Sequence, residues 1–372
     1  FANMRITTNA LLRNYNSNLS ASIASLDSAR TKVMTQRKFN STKEDPSSAL
    51  RAAVLERKYA RNADYLSMVK DVHSYQNSQE DAAMQINTIS QNLSKKYGLE
   101  ALNGTNGSLE TRQTYAAAWR GAQESLVLCL NTSYEGRYVF AGNDGKSAPF
   151  VLKTVDATDA NGNPILDANG KPTKKQVLTY RGIDVEDPNK QGILDEMSRE
   201  SSDYSSSNFI DLGFGLNIDA GNVIDSSSAF DTSLPGIDLV GYGKDDNGVS
   251  KNMVLLAGQI ADVLDAEVFD EEKYKQLLNA FDGIGENGLS LNQGRNKVLD
   301  KITTLGTQSE FLTTTEDRLD SNRISLSEQI DNVVNVDMAE AIMNFSWAQY
   351  AYNAALKVGN NILTPSFIDF MR

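Results

Sequence analysis

The chain has 372 residues, 40% of them hydrophobic, which is enough to bury a substantial core and to form two or three domains. Its 48 acidic residues outnumber 36 basic ones for a formal net charge of -12, a balance that repels nucleic acid and anionic membranes and excludes both as general partners. The single cysteine, Cys129, excludes an intrachain disulfide and, among Leu126, Val127, Leu128 and Leu130, reads as a small core hydrophobe.

The natural start is expected at Met4. The residues after Met4 lack the basic segment and apolar run of a secretory signal, so export would use another route. Leu12, Tyr15, Leu19, Ile23, Leu26 and Val33 recur in three- and four-residue steps and predict a first helix with one apolar stripe. A second helix is expected to open at Asp45-Pro46, with proline in its first turn, and to run through Leu55, Tyr59, Leu66, Val69, Ile86, Ile89, Leu93 and Tyr97. His73, the only histidine, falls inside that helix and is expected at the surface, without a second histidine or a cysteine cluster to make a metal site. After the break Asn103-Gly104-Thr105-Asn106-Gly107, a third helix places Tyr115, Trp119, Ala122, Leu126 and Leu130 on one face.

Between residues 143 and 250 the composition turns strand-like. Asp144-Gly145, Asn161-Gly162-Asn163-Pro164 and Asn169-Gly170-Lys171-Pro172 are turn signals, and Phe150–Leu152 and Gln176–Tyr180 are β-prone runs. Helical spacing returns over Met253–Leu264 and Glu271–Phe281. Val298, Leu305, Leu312, Leu319, Leu326 and Val333 then succeed one another at seven-residue intervals and are read as bundle core. The companion seam holds Ile302 and Ile330 but also Ser309, Glu316 and Arg323, which favours packing in a bundle over an isolated zipper. Since such a helix cannot stand alone, both chain ends must meet in one bundle, and the fold class is α+β: a long antiparallel helical bundle with an inserted, largely β domain.

The two ends share a further property. From Ile6 to Ala29 the only charged residues are Arg13 and Asp27, and from Ala339 to Leu363 only Glu340 and Lys357. Asn344, Gln349, Asn353, Asn360 and Asn361 are too costly for hydrocarbon, so burial by protein is the reading, with no membrane partner. Leu12, Leu19, Ile23 and Leu26 with Met338, Ile342, Phe345, Tyr352 and Leu356 form the expected assembly interface. An ordinary monomeric core is the competing reading of the same helices.

Motifs with a possible chemical role have plainer readings. Gly283-Ile284-Gly285-Glu286-Asn287-Gly288 satisfies the dinucleotide pattern but comes after a helix and reads as a terminating loop. Asp159-Ala160-Asn161-Gly162 and Asp245-Asp246-Asn247-Gly248 resemble pieces of a calcium loop without its first ligand or closing glutamate. No catalytic residue, cofactor site or metal site is assigned, and the chain is expected to be no enzyme.

Both ends resemble the flagellin superfamily. The resemblance rests on Met4-Arg5-Ile6-Thr7-Thr8-Asn9, on Thr35-Gln36-Arg37-Lys38-Phe39-Asn40-Ser41 leading to Asp45-Pro46, on Leu312–Leu326, on Asp337-Met338-Ala339-Glu340-Ala341, and on Phe367-Ile368-Asp369-Phe370-Met371-Arg372. Glu44-Asp45-Pro46, Gly136-Arg137-Tyr138-Val139-Phe140-Ala141-Gly142 and the ending Ser366–Met371 resemble the superfamily's hook-to-filament junction proteins more than flagellin itself. The resemblance implies a terminal helical core domain at 4–40 plus 335–372. It also implies a helical bundle domain with a β-hairpin region at 41–142 plus 251–334, and a surface β domain at 143–250. Implied partners are further copies of the chain, an upstream hook-associated junction protein, flagellin and an export chaperone. The implied location is the extracellular flagellum, reached through the flagellar secretion apparatus without a cleaved signal. Flagellin, and a soluble helical binding module, stand as alternatives.

Overall fold

The computed structural model describes residues 2–103, 107–158, 163–166, 170–221, 224–225, 228–285 and 287–368, with side chains from residue 9 to residue 360. It divides into two compact units, Phe1–Asp64 with Arg318–Arg372, and Tyr65–Asp317. The boundaries fall inside two long helices, α2 (Pro46–Asn92) and α8 (Gly294–Val334).

In the first unit α1 (Ala2–Thr35) packs against α9 (Met338–Ile368). Gln36 ends α1 with a left-handed φ of 59° and turns the chain alongside the start of α9. There Arg37 pairs with Asn335, the Val336 amide donates to Gln36 O at 3.0 Å and the Lys38 amide to Val334 O at 2.8 Å. Phe39, Ala52 and Val334 are buried together beneath this crossing, with Ile330 and Val333 packed on them. Asp45 caps α2 by accepting from the Ser48 amide at 3.0 Å, and this bonding to Ser48 holds its carboxyl below the usual range. The Asn62 side chain donates to Leu319 O on α8 at 2.7 Å.

The second unit carries the larger core. In α3 (Leu109–Leu130), Ala116, Trp119, Leu126 and Leu130 are fully buried, against α6 (Met253–Asp265) and α7 (Glu271–Asp282). Trp119 meets Phe281 edge-on at 5.0 Å. Arg112, buried in α3, donates to Leu264 O and Ala266 O at the end of α6, supplying a cation and two donors where a helix leaves carbonyls unpaired. The Gln76 side chain donates to Leu305 O on α8 at 2.8 Å. Gly283 closes α7 with a left-handed φ of 77°, and a Cβ there would fall on Gln293 O. The loop after it ends a helix, as its sequence context implied; Glu286 lies outside the described residues.

Just before the inserted segment comes a hairpin, β1 (Ser133–Tyr134) and β2 (Arg137–Tyr138), turned through Glu135 and Gly136, both at positive φ. A three-stranded antiparallel sheet comes after it, with β3 (Phe150–Asp156) on β4 (Lys174–Tyr180) and β4 on β5 (Ile183–Asp184). Next come α4 (Gln191–Met197), a ribbon based on β6 (Phe209–Ile210) and β7 (Phe230–Asp231), and the short α5 (Ile237–Val240). Phe150 and Tyr180 carry the sheet's inner face into the helical core. Asp245–Gly248 is a turn, its carboxylate accepting from the Asn247 and Val249 amides. Asp159–Gly162 lies outside the described residues, as do Gly104–Asn106.

His73 lies at the surface but is not freely exposed. It is half-buried, with Nδ1 at 2.7 Å from Glu316 Oε1 and Nε2 at 3.1 Å from Ser309 Oγ. The polar companion seam of α8 is what receives it, a partner that lies too far along the sequence to be read from the neighbourhood of residue 73. Cys129 is half-buried against the core, and burial pushes its thiol up.

Trp119→Ala is expected to cost about 3–5 kcal/mol in urea unfolding monitored by circular dichroism; a loss under about 1 kcal/mol would show that the α3–α7 packing is not central. A second test concerns Glu200. Burial opposes its ionisation, but Lys297 and Lys301, at 2.7 and 2.6 Å, outweigh burial and hold the carboxyl below its usual range. A depressed carboxylate stabilises the fold above its unfolded pKa, and that contribution fades as pH falls through the folded value. Glu200→Gln should therefore lower the urea midpoint at pH 7, and the difference from the parent should shrink as the pH falls below the ordinary carboxylate range; an equal loss in acid and at pH 7 would exclude a charge effect.

Candidate assembly surface

The α1–α9 pair is built on two complementary seven-residue patterns. On α1, Leu12, Tyr15, Leu19, Ser22, Leu26, Ala29 and Val33 are half-buried, and on α9, Met338, Ala341, Phe345, Ala348, Tyr352, Ala355 and Gly359 are buried or half-buried. Large and small residues alternate along the α9 seam. Small side chains let two helix backbones approach closely, because interaxial distance depends on the side chains at the contact. A Cβ on Gly359 would fall on the Tyr15 hydroxyl. With Arg37 opposite Asn335 at the other end, the two helices run antiparallel.

The expected assembly residues therefore separate into two groups. Leu12, Leu19, Leu26, Met338, Phe345 and Tyr352 lie in or along the seam between α1 and α9. Ile23, Ile342 and Leu356 are exposed. Ile23 departs from the predicted stripe because Ser22, one residue earlier, takes the seam position, and a hydrophobic reading passes over a serine. Of the heptad leucines, Val298, Leu305, Leu312 and Leu319 are buried, whereas Leu326 and Val333 are half-buried.

The exposed face of α9 also holds residues outside the expected set. Trp347 is 71% exposed and Tyr350 72%, with Met343 and Val358 also open. On α1, Leu11 and Met34 are exposed. Met343, Trp347 and Tyr350 are spaced four and three residues apart and form a second apolar stripe beside the seam. An exposed tryptophan and tyrosine on a helix with two charges in 25 residues was a readable signal, because large aromatics on a charge-poor surface mark contact sites. No helix among the described residues is long and apolar enough to cross a membrane.

This geometry has counterparts. The model of the bacterial flagellin N-terminal helical region matches residues 6–144. A solved structure described as a flagellar hook-associated protein of Vibrio parahaemolyticus superposes with a TM-score of 0.52 at 14% identity, covering 78% of this chain and 100% of that one. The fold is the one seen in that structure, and the N-terminal part of the chain is similar to the helical region of flagellin. Over nearly its whole length the chain is also similar to flagellar hook-associated protein 3. It is 22% identical to that protein of Salmonella typhimurium over 371 residues, 99% of this chain and 100% of the relative, and 24% identical to that of Escherichia coli over 316 residues, 84% and 83%.

Two substitutions separate the seam from the outer face. Gly359→Leu is expected to open the α1–α9 pair, increasing proteolysis of both ends while leaving the urea midpoint of the Trp119 core unchanged. Trp347→Ser should leave the ends as resistant as in the parent but reduce association of copies. In a Trp119→Phe background, Trp347 emission should shift to shorter wavelength on assembly; an unchanged spectrum in assembled material would remove Trp347 from the contact.

Proposed function

We propose that the chain is a structural subunit of the bacterial flagellum that adapts hook to filament at their junction. The observation that carries this reading is the outer face of the antiparallel terminal pair, which is rich in exposed apolar and aromatic residues and carries few charges over residues 6–29 and 339–363. Such a face suits burial between subunits, and the full-length similarity to hook-associated protein 3 supports the particular place in the flagellum.

In this reading residues 4–40 and 335–372 pair in the axial core. Residues 41–142 and 251–334 form the surrounding helical layer, and the β-containing insertion at 143–250 lies on the surface of that layer. The outer residues of α9 and α1 meet further copies of the chain. One end of the assembly, a ring or a helical layer of copies, meets an upstream hook-associated junction protein and the other meets the first flagellin subunits. The charge-poor terminal helices also suit capture by an export chaperone, and passage through the flagellar secretion channel would need them unfolded. The work is adaptation between two polymers, with no catalytic step.

Deletion of the gene tests the proposal. Cells are expected to be immotile, with intact hooks, and to shed flagellin monomers into the medium. Persistent filaments with flagellin attached would reject a junction role, and abundance of the chain as the bulk of purified filaments would identify it as a filament subunit.

A further inference from the structure

Charge is distributed very unevenly along the chain. Residues 1–43 hold seven basic residues, Arg5, Arg13, Arg30, Lys32, Arg37, Lys38 and Lys43, and one acidic residue, Asp27, although the whole chain carries a formal net charge of -12. On α1, Ile23, Arg30 and Met34 fall on one helical face, and Met34 is 71% exposed. Arg37 lies just past the helix end, and its side chain is exposed. Lys38 is already engaged, its Nζ donating to Asn332 O at 2.6 Å.

The second unit presents the complementary surface. Phe311 on α8 is stacked between Phe214 and Phe230 of the β6–β7 ribbon, with ring centroids 6.1 and 6.2 Å apart and planes inclined by 22° and 7°. Phe214 is 55% exposed and Phe311 45%, and Leu216 and Ile218 continue the apolar surface along the ribbon. Residues 209–231 hold four aspartates, Asp211, Asp219, Asp225 and Asp231, and no lysine or arginine. Asp231 is answered within the chain by Arg199 at 3.7 Å, Asp211 accepts from the Tyr65 hydroxyl and the Gly213 and Gly215 amides, and Asp219 accepts from the Gly221 amide, so these carboxylates are also hydrogen-bonded within the chain. Glu310 adds a carboxylate next to Phe311. Two exposed aromatic rings stacked with the half-buried Phe230, in a ribbon that also exposes Leu216 and Ile218 and whose charged residues are all aspartates, fit a partner that brings both apolar and basic groups.

The geometry points to a contact between copies in which Met34, Arg30 and Arg37 of one chain dock on the Phe214–Phe311 face of a neighbouring chain. The inference rests on the reading of the chain as a self-assembling subunit. Met34, unbranched and adaptable, lies against the aromatic face, and the two guanidinium groups reach Glu310 and the ribbon carboxylates. A second copy is the occupant because the chain itself supplies the matching chemistry at its basic end.

The test uses the full chain in isolated flagella, with a benzophenone amino acid in place of Leu216. Irradiation is expected to produce a cross-linked dimer of the chain whose second site maps to residues 30–38. Arg30→Glu with Arg37→Glu should reduce that product about fivefold, as expected for two surface ion pairs, and Glu310→Lys should restore part of it. Cross-links to another region, to another protein, or none at all with the chain present in the flagella would overturn the contact while leaving the structural role standing. Absence of the chain from isolated flagella would overturn the structural role, and this contact with it.

Discussion

The structure depends on one constraint, that the two ends of the chain must lie against each other along a shared seam. α1 and α9 are separated by some three hundred residues, and closing so long a loop costs only about 0.6 kcal/mol more for each doubling of its length. What makes the pairing specific is shape. Ala341, Ala348, Ala355 and Gly359 leave room on α9 into which the larger residues of α1 fit, Tyr15 over Gly359 among them. Because this seam is narrow, a pair of helices so poor in charge keeps a broad apolar face outside it. The same feature that closes the fold thus leaves a surface available for assembly.

A heptad of leucines sets direction but not register, since a slip of seven residues would superpose it on itself. Polar side chains remove that freedom. Asn62 donates to Leu319 O in one unit and Gln76 to Leu305 O in the other, and the donors are two heptads apart on α2 just as the acceptors are on α8. Each buried amide would lose its partner if the helices slipped, and an unmet buried amide costs about 1–3 kcal/mol. His73, bridging Ser309 and Glu316, acts in the same sense. The polar middle of α2, which weakens its amphipathic pattern, is the part that fixes its partner.

The second unit places chemistry differently. Its core is closed by buried polar residues answered in kind: Arg112 caps α6, and Gln123 reaches Gln176 and Val254 O. Apolar surface is left open on the aromatic stack around Phe311, in a ribbon whose charged residues are all acidic, whereas the first 43 residues carry seven basic residues against one acidic. A protein with this separation of charge has attraction between unlike ends of neighbouring copies built into its covalent structure.

The α+β class, the long helices at both ends, the proline-led start of α2, the loop after α7 and the buried leucines of α8 were legible in the sequence, because each is set by local periodicity or by a turn residue whose backbone preference is intrinsic. The charge-poor character of both ends was legible for the same reason. Which of those end residues face each other and which face outward was decided by the tertiary structure. A helix of 34 residues with a weak amphipathic pattern offers several faces of similar polarity, and only the alternation of small residues on α9, matched against α1, selects one. Ser22 entered the seam and Ile23 left it on that account, and Trp347 and Tyr350 stayed outside. The surroundings of His73 and the stacking of Phe214, Phe311 and Phe230 likewise join residues far apart in the chain, where no local pattern records the partner.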